Sequence, residues 1–160
     1  MSDQEKLQRA WLDQVQEEII DPERPIIDPH HHLWRHPGIP PYLLDDLLAD
    51  TGSGHNIEKT VFMECGAEYR SEGPEHLRSL GEVEFVTGLA QESARRGEGS
   101  AEIAALVSYI DLLAPDQVAD TVAMHEEASH GLFRGVRHAG SLDPHPEVLM
   151  IPGQAPAGLY

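Results

Sequence analysis

The sequence predicts an α/β chain of about four parallel strands with interleaved helices, preceded by an N-terminal helix. Three observations carry this. Short, largely apolar runs recur four times, at "PIID", "EKTVFMECG", "AEIAALVSYID" and "LFRGVRHAG". Segments with helical spacing separate them, each long enough for a crossover connection. Pro and Gly clusters mark the junctions. Alternating strands and helices imply parallel pairing with right-handed crossovers. Four such units fit either a small doubly wound sheet or the N-terminal half of a TIM-like (β/α)8 barrel. A whole barrel typically needs about 250 residues, and this chain has 160.

Leu7, Trp11, Val15 and Ile19 recur every four residues, which predicts a helix from about Gln4 to Ile20. "DPERP" breaks it, so residues 1–24 read as a helix and linker and 25–160 as the domain. "PIID", 25–28, reads as a buried strand, and "RHPGIPP" as loop. "YLLDDLLAD" reads as a short helix ended by "TGSG". Residues 58–66 form the second expected strand, with Val61, Phe62 and Met63 buried. A helix is expected from about Pro74 to Arg96, with Gly81 and Gly88 weakening it. Residues 101–111 read as the third strand. "APDQVADTVAMHEEASHG" starts with Pro115–Asp116 and closes at Gly131, a well-signalled helix. "LFRGVRHAG" is the fourth strand, and the Pro- and Gly-rich tail reads as loop.

Composition narrows the partners. The net charge of −17 argues against nucleic acid and against an anionic membrane surface. An anionic small molecule stays compatible, because a few placed arginines dominate a local site. One cysteine, Cys65, allows no disulfide within the chain, which suits a reducing compartment. The polar, acidic N-terminus lacks the pattern of a signal peptide, and no apolar run has the length of a membrane span. The expected location is the cytoplasm.

The chemistry concentrates in "IIDPHHHLW", residues 26–34. On a strand, His30 and His32 share a face and His31 takes the other. Same-face side chains lie about 6.6 Å apart along a strand, so two imidazoles reach one ion. Strand C-terminal ends are where parallel α/β folds place active sites. Asp28 is placed to support the pair from behind. The competing reading is a solvated His-rich loop, and two histidines do not complete a catalytic zinc site, which takes about three protein ligands plus water.

"IIDPHHHLW" resembles the D-x-H-x-H first-strand signature of the amidohydrolase superfamily. Leu33–Trp34 resembles the amidohydrolase-related branch, which contains sugar lactonases and pyrone-dicarboxylate lactonase. "EKTVFMECGAEYR", "ALVSYIDLLAPD", "LFRGVRHAG" and "PEVLMIPGQAPAGLY" look like later segments of that branch, so the resemblance covers about 25–160. It implies an N-terminal, incomplete amidohydrolase-type barrel domain. The implied activity is hydrolysis of a lactone by attack of an activated water. His30 and His32 would be catalytic and would bind a divalent metal, most often zinc, although metal-independent relatives exist. Arg137 or Arg134 would bind a carboxylate or polar group of a small-molecule substrate, a lactone with a carboxylate or hydroxyls. Arg137, nearer the strand's C-terminal end, is favoured. Tyr69 would line the mouth. Glu64 and Asp111, at strand ends, are lesser candidates for orienting a ligand or water. His31 has no implied role. Cys65 is expected to pack as an apolar side chain, and His125, His130 and His138 to be surface or loop residues.

The family's remaining groups come from later strands: two histidines and an aspartate general base. None has a counterpart in this sequence. The 160-residue chain is therefore expected to be inactive alone, and its open sheet edges to favour self-association. The alternative is a non-catalytic truncated half-barrel that binds a partner or a metal only. A flavodoxin-like module fits less well, because no Gly-rich phosphate loop follows the first strand.

Overall fold

A computed structural model describes residues 3–15, 17–97, 99–141 and 145. Four parallel strands form one sheet: β1 (Ile26–His31), β2 (Ile57–Met63), β3 (Glu102–Tyr109) and β4 (Phe133–Arg137). Their spatial order is β1-β2-β3-β4, the same as in sequence. Helices α2 (Leu44–Thr51), α3 (Leu80–Arg96) and α4 (Pro115–Ala128) make the three crossovers, and α1 (Asp3–Leu12) precedes the sheet. A doubly wound sheet reverses its strand order at a switch point. No reversal occurs among the described strands, so the sheet is singly wound, with its helices on one face. No helix among the described residues is long and apolar enough to cross a membrane.

The core lies between the sheet and those helices. Phe62, Ile103 and Leu106 pack with Leu44 and Leu47 of α2 and with Val83, Val86 and Ala90 of α3. Leu33, just past β1, is also fully buried there. On the other face Ile27 is 62% exposed. Val61, Met63, Val107 and Tyr109 are only half-buried.

Four single-residue irregularities shape the sheet. In the first, Glu58 is the extra residue of β2 between the Ile26–Ile57 and Ile27–Lys59 pairs. Asp28 pairs with Thr60 and His31 with Phe62, so β1 carries one more residue than β2 over that step. Pro29 lies inside it and has no N–H for the ladder. The Asp28 carboxylate accepts the His30 backbone N–H at 3.0 Å and fixes the turn. Ala104 is the extra residue of β3 and Arg134 that of β4.

Two helices differ from expectation. α1 ends at Leu12 rather than near Ile20. Its apolar stripe meets no core: Leu7, Trp11 and Val15 are each about two-thirds exposed or more, and a short helix without tertiary packing is marginal in water. The segment expected as one helix from Pro74 splits into a 3-10 turn at Glu75–Leu77 and α3 from Leu80. Gly81 explains the tight junction. A Cβ there would lie 2.2 Å from the Glu68 carbonyl oxygen, so the loop after β2 can cross the helix start only at glycine.

Candidate functional site

β1 delivers His30 and His32 to its C-terminal end, and the extra residue turns them away from the core. Their Nε2 atoms lie 3.1 Å apart, with the rings edge to face at 85°. His32 Nδ1 lies 2.8 Å from the Met63 carbonyl oxygen at the end of β2. A carbonyl only accepts, so Nδ1 carries the proton and Nε2 presents a bare lone pair. His30 Nε2–H then donates to it. Such a backbone-anchored imidazole is the usual arrangement behind a metal ligand.

The spacing also suits an ion. Two nitrogens at about 2.05 Å from a tetrahedral zinc lie about 3.3 Å from each other, close to the 3.1 Å seen here. An ion there would sit off the line between the two nitrogens, so both rings would have to turn from their mutual hydrogen bond toward it. Among the described residues, no third His, Cys, Asp or Glu joins the pair as a metal-binding group. Asp28 supports the site through the His30 backbone rather than through a ring.

His31 points the other way. It is buried, packs edge-on against Phe62, and its ring nitrogens make no well-aligned hydrogen bond, the Val61 backbone being the nearest partner. Burial pushes its pKa down to about 4. The loop beyond the pair is braced by a bridge between Trp34 and Tyr42, whose rings stack at 5.2 Å. The Trp34 indole N–H also donates to the Pro40 carbonyl at 2.9 Å.

Arg137 ends β4 and reaches across β3 to β2. Its Nε donates to Glu64 Oε1 at 2.7 Å and its Nη2 to the Glu64 carbonyl at 2.5 Å. Glu64 thus holds the arginine that the sequence assigned to a substrate. Arg134 is elsewhere. It sits near the N-terminal end of β4, and its guanidinium donates to the carbonyls of Gly131 and Phe133 at 2.6 and 2.8 Å. Tyr69 lines a cleft of about 440 Å³ with Glu75, Arg78, Tyr109, Asp111 and Gln117, not with the histidine pair. Burial raises its pKa. Asp111 accepts the Leu113 N–H at 2.9 Å, and its carboxylate lies 3.6 Å from His138. His138 is not a loose loop residue: its ring packs against Tyr109, and Nδ1 accepts the Leu112 N–H at 3.1 Å. The structure therefore brings His30 and His32 together. It joins Arg137 to Glu64, sets Tyr69 beside a neighbouring cleft, and leaves Arg134 at the opposite end.

Two residues matter more than the sequence suggested. Expected at the surface, His125 is fully buried on α4 and hydrogen-bonds with Ser79 at 3.1 Å and Ser108 at 3.0 Å. Its only sequence signal is the four-residue spacing from Thr121, also buried. Burial lowers its pKa to about 4. Glu82, in the first turn of α3, is also buried. Its Oε1 accepts the N–H groups of Cys65 and Ala67 at 3.0 and 2.8 Å, which pins the loop after β2. Desolvation raises its pKa. Cys65 is half-buried, and burial pushes its thiol up to about 12, so it packs rather than reacts.

No protein-family model matches the chain, and neither a curated protein nor a solved structure is significantly similar to it.

Proposed function

We propose that the chain is the metal-holding part of an amidohydrolase-type hydrolase acting on lactones, built on half of a (β/α)8 barrel. The observation that carries this reading is the pair of converging Nε2 atoms at a strand's C-terminal end, one of them with its tautomer set by the Met63 carbonyl. The singly wound sheet with helices on one face is compatible with a half-barrel. His30 and His32 would hold a divalent ion, zinc by ligand type and geometry. Bound there, the ion would supply Lewis acidity toward a carbonyl or a water. The chain's own residues orient the pair: Met63 fixes His32, Asp28 fixes the His30 backbone, and Glu82 fixes the loop beside them. Arg137 would meet a substrate carboxylate only by leaving Glu64, so it is a substrate ligand in exchange for an internal one. Among the described residues no carboxylate joins the histidines as a third metal ligand.

The same two-ligand count supports a second reading, a non-catalytic half-barrel that binds metal or a partner. One experiment separates the two. The 160-residue chain is titrated with cobalt(II) while its visible absorption is followed, and lactone hydrolysis is then assayed with and without zinc. Both readings expect metal uptake that His30→Ala abolishes. No uptake would refute the metal-holding assignment. Metal-dependent turnover by this chain would refute the non-catalytic reading and the expectation that it is inactive alone.

A further inference from the structure

The cleft of about 440 Å³ beside Tyr69 has no part in the function proposed above. Its volume falls within the range of small-molecule sites, about 300–1,000 Å³. Tyr69 enters it from the loop after β2, and Glu75 and Arg78 from the turn before α3. Tyr109 ends β3, Asp111 follows it, and Gln117 lies in the first turn of α4.

The charges in this cleft are uncommitted. Arg70, Arg96 and Arg137 each hold a carboxylate. Arg78 holds none among the described residues, although the chain has 28 acidic residues against 11 basic ones. The Glu75 carboxylate is likewise unpartnered among them. Asp111 uses one oxygen, which accepts the Leu113 N–H and faces His138, and leaves the other open. Tyr69 and Tyr109 are half-buried, and neither hydroxyl has a hydrogen-bond partner among the described residues. Burial, then the nearby Asp111, Glu64 and Glu75 carboxylates, raise the Tyr109 pKa, so the negative field of these acids reaches its hydroxyl.

This mixture of signs selects the ligand. A simple anion would meet Arg78 but would be repelled by Glu75 and Asp111. A simple cation would meet the reverse. A metal ion is poorly served, because among the described residues Glu75, His76 and Asp111 do not gather into a metal-binding group. A molecule that carries both charges satisfies every group. We propose that the cleft binds an amino acid with an apolar or aromatic side chain, its carboxylate on Arg78 and its ammonium on Glu75 and Asp111. The guanidinium fork matches a carboxylate, and a phenol face adds to the hold on an ammonium. The two tyrosine rings cover the apolar body. Neither His30 nor His32 lines this cleft, so the site stands apart from the metal-holding assignment.

The test is an NMR titration of the 160-residue chain with L-phenylalanine, phenethylamine and 3-phenylpropanoate. The last two each lack one of the charges. L-Phenylalanine should shift the amides of Tyr69 and Tyr109 saturably, with a Kd at or below about 1 mM. Each analogue should bind about tenfold more weakly or worse. Arg78→Gln should lose about tenfold for L-phenylalanine and nothing for phenethylamine. Arg78 is exposed and its side chain has no described partner, so the variant keeps the fold. EDTA should change nothing. Absence of saturable binding, equal binding of either analogue, or an unchanged affinity in Arg78→Gln would overturn the proposal. Binding that EDTA abolishes would also overturn it, and would place the ligand at the histidine pair.

Discussion

Acidification should destabilise this fold through His125, and the size of the effect follows from its surroundings. The imidazole is fully buried between Ser79 and Ser108, and no carboxylate lies within hydrogen-bonding reach. Folding lowers its pKa from 6.5 to about 4. The unfolded chain thus binds a proton that the folded chain refuses, and stability rises with pH through that window. The contribution is complete above about pH 6.5 and is lost as pH falls toward 4. Full loss is about 3 kcal/mol, at about 1.4 kcal/mol for each tenfold step in proton affinity. Between about pH 7.5 and 5.5 the two-state expression gives a loss of about 1.3 kcal/mol from this residue. His31, similarly depressed, adds its own share, which the comparison with a His125 variant cancels. The assay is urea denaturation at both pH values, on the native chain and on His125→Gln. Glutamine keeps a donor and an acceptor but does not titrate. The native chain should lose about 1.3 kcal/mol more than the variant over that interval. Equal pH dependence of the two, or a His125 NMR titration midpoint near 6.5, would refute the reasoning.

Other expectations follow from the packing. Gly81→Ala places a methyl group against the Glu68 carbonyl and should cost about 1–3 kcal/mol. Gly88→Ala, in the same helix, meets nothing within 4 Å and should stabilise by about 0.5–1 kcal/mol; thermal denaturation of both variants checks the contrast. Phe62→Ala opens a void at the centre of the core and should lower unfolding free energy by about 3–5 kcal/mol. Glu82→Ala strands two buried N–H groups and should cost about 1–3 kcal/mol for each, whereas Glu82→Gln, which keeps an acceptor oxygen, should cost less. Hydrogen exchange at Cys65 and Ala67 distinguishes these two variants.

Much of the fold was legible because its signals are local. The four apolar runs became the four strands, and Pro115–Asp116 marked the start of α4. The first strand was harder to bound. It runs to His31, because the edge tolerates Pro29 and the Asp28 side chain stands in for part of the ladder. The expected length of α1 failed because periodicity reports an apolar stripe, not whether anything covers it. At the site, H-x-H spacing alone predicted that His30 and His32 would share a face. The Arg137–Glu64 pair links residues 73 apart in sequence, so spacing could not reveal it. His125 and Glu82 were hidden for a related reason. Their residue types suggest solvent, and only tertiary partners make their burial tolerable.

The surplus residue in β1 has a consequence for how this segment tolerates length changes. His30 and His32 stand clear of the core only because the chain gains one position on β2 between Asp28 and His31. Deleting Pro29 would remove that surplus and leave His31 opposite Phe62, so the outward pair would survive; an even register that kept Pro29 would instead seat His30 there. A lone outward imidazole would remain before Leu33, with no neighbour to form a grip. A homologue that drops the residue before the three histidines would keep the pair, and one that holds that residue without the surplus position would lose it.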